Sequence, residues 1–96
     1  MSLELLAKQE PSVIQALYRL KNEVFKDGAL STKHKELIAT AVSCLLKCDI
    51  CLEVHAQKAK DAGATKEELR EAMMVAMYLS GPSAVIWTPK IDDIIE

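Results

Sequence analysis

The chain has 96 residues, enough for one small domain with a limited core. Half of the residues are hydrophobic and only 4% are aromatic, which excludes a disordered chain and leaves the core to Ala, Leu, Ile, Val and Met. The net charge is -2 with no dense Lys/Arg segment, so no nucleic-acid face is expected; the longest wholly apolar run, the eight residues Ala72 to Leu79, is far short of a membrane span.

The N-terminus, Met1 to Lys8, has neither the basic start nor the long apolar run of a signal peptide. A cytoplasmic, reducing setting is expected, where a close cysteine pair is catalytic or metal-binding rather than structural. Strand signals are weak, and helical punctuation is clear. Pro11 suits a first helical turn and Gly28 its end, with Val13, Leu17, Leu20 and Val24 repeating at helical spacing between them. Ser31 or Thr32 can cap a second predicted helix, Lys33 to about Lys47. Asp49 caps a third or sits in its first turn, and Gly63 is a suitable C′ residue. Thr65 to Glu68 has the form of a capping box and opens a fourth, ending near Ser80-Gly81-Pro82. A short apolar piece, Ala84 to Trp87, and a last turn over Ile91 to Glu96 complete an all-α chain.

The fourth helix is apolar on every face from Ala72 to Leu79, a pattern of burial all round. So small a domain has little interior for it, and contacts between copies are expected to cover part of it. Met73, Met74, Val75 and Met77 could line an apolar pocket, though Met-rich helices more commonly just pack. Trp87 could cover that pocket's mouth or an oligomer seam.

The stretch that carries chemistry is Cys48-Asp-Ile-Cys51-Leu-Glu-Val-His55. Positions three and four apart share a helix face, so Cys48, Cys51 and His55 point the same way. Helical i,i+3 Cα atoms lie about 5 Å apart, inside the range of a disulfide. The start of a helix also stabilises a thiolate, and His55 can move its proton. Two other readings stand beside this one. The three residues can be plain core, or three zinc ligands, for which the only further candidates are His34 and Cys44. Cys44 lies among Ala41, Val42, Leu45 and Leu46 and reads as a small core residue. On the second helix Glu36, Thr40, Ser43 and Lys47 form a narrow polar stripe, which periodicity alone reads as a solvated face.

Glu36, eleven residues, then Cys48-x-x-Cys51-x-x-x-His55 resembles the signature of the alkyl hydroperoxidase D (AhpD) and carboxymuconolactone decarboxylase family. The flanks are similar too: Leu30-Ser-Thr-Lys-His-Lys-Glu-Leu-Ile, Asp61-Ala-Gly-Ala-Thr-Lys-Glu-Glu-Leu and Ser80-Gly-Pro-Ser-Ala. The resemblance covers about residues 30 to 87 and implies a single AhpD-like helical-bundle domain over residues 1 to 96, assembling as a homo-oligomer, a trimer or hexamer. It implies a thiol peroxidase that reduces hydroperoxides. Cys51 would attack the peroxide and become a sulfenic acid, Cys48 would resolve it, and His55 and Glu36 would relay protons. It departs at Ile50, where well-characterised peroxidase members can carry a further histidine; a shorter relay and a less polar pocket follow. There is no Gly-rich dinucleotide fingerprint, so the expected reductant is an external dithiol or redox protein, with no bound cofactor or metal. The family also offers a decarboxylase acting on a muconolactone-type acid, a chemistry with no use for the cysteine pair. A redox-sensing helical assembly without turnover is a third reading.

Overall fold

Seven helices and no strand make up the computed structural model, which describes all 96 residues: α1 (Leu3–Gln9), α2 (Pro11–Phe25), α3 (Thr32–Leu46), α4 (Asp49–Asp61), α5 (Lys66–Ser80), α6 (Ser83–Ile86) and α7 (Asp92–Ile95). The long helices begin at the expected caps. Ser31 accepts from the His34 amide, and Thr65 and Glu68 complete the capping box of α5. Gly63 and Gly81 follow α4 and α5 with positive φ of 103° and 87°, the left-handed side that a Cβ disfavours.

Two boundaries differ from the sequence expectation. α1 was not anticipated; Ser2 caps it by accepting from Leu5 N at 3.1 Å. α2 stops at Phe25, three residues before Gly28, with Lys26 extended at its end. The reason is tertiary. Thr32 Oγ1 donates to the Phe25 carbonyl at 2.6 Å and Lys35 Nζ to the Lys26 carbonyl at 2.7 Å, so α3 serves the last carbonyls of α2 and no left-handed glycine is needed.

The core lies between α3, α4 and α5. Cys44, Leu52, Ala56, Ala59, Leu69, Met73 and Ala76 form it, and Ile91 closes it from the C-terminal segment. Trp87 packs against this cluster, and its indole N–H donates to the Ala84 carbonyl at 2.7 Å. It therefore covers core, rather than a pocket mouth. Met73, Met74 and Met77 do border an apolar cleft of about 280 Å³ with Val85, Ile91 and Ile95, whereas Val75 lies in a separate groove with Leu37 and Ile38.

α1 and α2 bury no residue, so the stripe Val13, Leu17, Leu20 and Val24 is exposed within one chain. The radius of gyration, 14.5 Å, exceeds the roughly 12.5 Å of a compact domain of this length, as expected for a projecting N-terminal arm. All-round burial of α5 is not met either. Leu69, Met73 and Ala76 are buried, while Met74, Val75, Tyr78 and Leu79 face outward. No helix is long and apolar enough to cross a membrane.

Candidate redox site

The site is built on the corner between α3 and α4. Lys47 ends α3 in the left-handed conformation, φ 54°, and the Cys48 amide reaches back to the Ser43 carbonyl at 3.1 Å. That closure turns the chain within two residues and makes Cys48 the N-cap of α4. The Cys51 amide donates to Cys48 Sγ at 3.3 Å, and Asp49 occupies the first turn instead of the cap. The two cysteines form a disulfide across a Cα separation of 5.2 Å, which the regular helical turn supplies unaided.

One turn beyond Cys51, His55 Nδ1 meets Glu36 Oε2 of α3 at 2.8 Å. Glu36 is only 3% exposed, and Thr40 and Ser43 are buried behind it. The solvated-face reading of the stripe is thus overturned for three of its four members; Lys47 alone is exposed. The stripe lies against α4, and its hydroxyls satisfy themselves: Thr40 Oγ1 donates to the Glu36 carbonyl at 2.8 Å and Ser43 Oγ to the Ala39 carbonyl at 2.6 Å. A buried carboxylate needs a polar partner, and the imidazole provides it. An ionised Glu36 accepts from Nδ1–H, which leaves Nε2 as the proton-accepting nitrogen of a neutral ring.

The other zinc candidates are placed elsewhere. His34 is exposed and shares a hydrogen bond with Ser31 Oγ at 2.9 Å. The Cys44 thiol is turned into the core, 2.9 Å from Met73 Sδ, and burial pushes its pKa up to about 11. No group of three or more His, Cys, Asp or Glu is arranged to hold a metal ion. Ile50, beside Cys51, is 73% exposed and contributes nothing to the relay.

The fold of this site has known counterparts. The carboxymuconolactone decarboxylase family profile matches residues 11–88. The chain belongs to the carboxymuconolactone decarboxylase family. An uncharacterized cox-locus protein of Paracoccus denitrificans is 40% identical over 73 residues, 76% of this chain and 66% of that protein. The chain thus spans just under two thirds of that relative's length. A family protein from Legionella pneumophila superposes with a TM-score of 0.86 at 30% identity, covering 98% of this chain and 88% of that one. Another from Thermotoga maritima, for which an antioxidative role has been suggested, gives 0.71 at 28% identity over 85% and 81% of the two chains.

The geometry of this family member adds residues that the signature does not contain. Phe25, the last residue of α2, stacks on His55 with ring centroids 5.5 Å apart. Lys21, four residues earlier, is half-buried and within hydrogen-bonding reach of the half-buried Lys58. Hydrogen bonding to Lys21, then burial and the charge of Lys21, hold Lys58 below the usual lysine range, with Glu36 opposing. Lys58, three residues past His55, could have been placed on this face from helical spacing. Nothing in the sequence brings Phe25 or Lys21 to it, because that contact is made between helices distant along the chain.

Proposed function

We propose that this chain is a thiol peroxidase in which Cys48 and Cys51 cycle between dithiol and disulfide. The observation that carries the reading is the redox pair at a helix N-terminus with a buried Glu36–His55 dyad one turn away. In the reduced state the Cys51 thiolate attacks the distal oxygen of a hydroperoxide. The O–O bond breaks, the alkoxide takes a proton relayed through His55, and Cys51 becomes a sulfenic acid. The Cys48 thiol then attacks that sulfur, water leaves, and the disulfide forms. An external dithiol or redox protein returns both electrons by thiol–disulfide exchange. Glu36 orients the imidazole and offsets its positive charge when it is protonated. The antioxidative suggestion for the Thermotoga relative supports the same reading.

A muconolactone-type decarboxylation, the other chemistry of the family, gives the cysteine pair no part to play. The exposed apolar residues of α2, α3 and α5, among them Leu17, Ile38 and Tyr78, support a homo-oligomer in which copies cover one another. The test is sustained consumption of cumene hydroperoxide with dithiothreitol as reductant. The wild type turns over and Cys51→Ser does not; full activity in Cys51→Ser removes the mechanism.

A further inference from the structure

α2 and α4 meet in two successive rungs. Phe25 lies on His55, and one turn back along α2 and one turn on along α4, Lys21 meets Lys58. The lower rung brings together two half-buried side chains of like charge, and neither is in an ion pair with any carboxylate. Glu36, the acid whose charge reaches Lys58, already gives Oε2 to His55. Lys58 also borders a polar cleft with Glu53, Asp61 and Asp93. Glu53 faces Lys90 at 3.8 Å and Asp61 accepts from Gln57 at 2.9 Å, so neither quenches the pair. Lys21 Nζ also lies 5.6 Å from the centre of the Tyr18 ring, which positions it without neutralising it.

Two ammonium groups held together without a counter-ion repel one another, and an anion placed between them turns that repulsion into two charge-assisted contacts. From Cys51 to Lys58 is seven residues of α4, a rise of about 10 Å. We propose that Lys21 and Lys58 form an anion-recognition subsite, which selects hydroperoxides that carry a carboxylate at the end remote from the peroxide. This deepens the peroxidase reading and rests on it. The reacting end of the substrate lies at Cys51, below the Phe25–His55 rung, and the carboxylate sits between the two lysines.

A matched pair of substrates tests this: cumene hydroperoxide and its para-carboxylate derivative, each followed by the rate at which the reduced protein closes its disulfide. Lys58→Met and Lys21→Met each lower the rate constant for the carboxylate at limiting concentration about tenfold, as for one lost charge-assisted contact, and leave neutral cumene hydroperoxide unchanged. Lys58→Arg keeps most of the preference, and added salt erodes it in the wild type. Equal losses with both substrates overturn the proposal, since they mark a structural or general-base role. No loss with either overturns it also. If the wild type reacts with neither substrate, the peroxidase reading fails. Binding then decides the subsite separately: titration of the oxidised protein with the para-carboxylate of cumyl alcohol, watched at the Lys21 and Lys58 side-chain NMR signals. Saturable shifts that are lost in Lys58→Met support the subsite, and flat titrations refute it.

Discussion

Cys44 separates structural from chemical thiols in this chain. It is fully buried, and burial raises its pKa from the ordinary 9.0 to about 11. In the unfolded chain the thiol ionises near the ordinary value. Between the two pKa values the folded chain therefore holds a proton that the unfolded chain has released, and stability falls as pH rises. The stabilisation is fully present below pH 9.0 and is lost as pH climbs through about 11. The whole difference is worth about 2 to 3 kcal/mol, of which about 2 kcal/mol is spent between about pH 8 and about pH 10.5. Urea unfolding of the wild type and of Cys44→Ala, both with the Cys48–Cys51 disulfide closed, isolates this thiol from the lysines that titrate in the same range. The wild type should lose about 2 kcal/mol relative to the variant over that range. A wild-type-minus-variant difference that stays constant with pH would refute the sealed-core assignment and put Cys44 back among the candidate redox thiols.

Four further outcomes follow from the same geometry. Glu36→Gln keeps the shape but removes the buried charge beside His55, and should slow disulfide closure by hydroperoxide about 100-fold in stopped-flow measurements, with little change in circular dichroism. Phe25→Ala removes the ring over His55 and should slow the same step severalfold while α3 to α5 stay folded, because α2 buries nothing in the core. Leu69→Ala, at a site with no exposure, should cost about 3 kcal/mol by urea denaturation. Thr65→Ala removes the α5 capping box and should cost about 1 kcal/mol.

Most of the helical plan was legible because it is locally encoded. Ser31, the Thr65–Glu68 box, Gly63 and Gly81 each satisfy or release backbone groups within a few residues, and each stands where the pattern placed it. The Cys48–Cys51–His55 face was legible for the same reason, since one helical turn sets it. The burial of Glu36 was not legible from periodicity. A stripe of Glu, Thr, Ser and Lys looks alike against water and against a partner helix, and only α4 packing on α3 decides between them. The end of α2 was misplaced because Thr32 and Lys35, not a local glycine, serve its last carbonyls. The exposed faces of α2 and α5 show the converse. Their apolar patterning was plain in the sequence, but one chain has too little interior to bury them.

The account stands or falls on whether Cys48 and Cys51 respond to a hydroperoxide. Reduced protein is mixed with one equivalent of cumene hydroperoxide, quenched by alkylation and mapped by mass spectrometry. A Cys48–Cys51 disulfide formed within seconds, with Cys44 outside it and still a thiol when the quenched protein is unfolded, is the predicted result. All three thiols remaining free after an hour would contradict it.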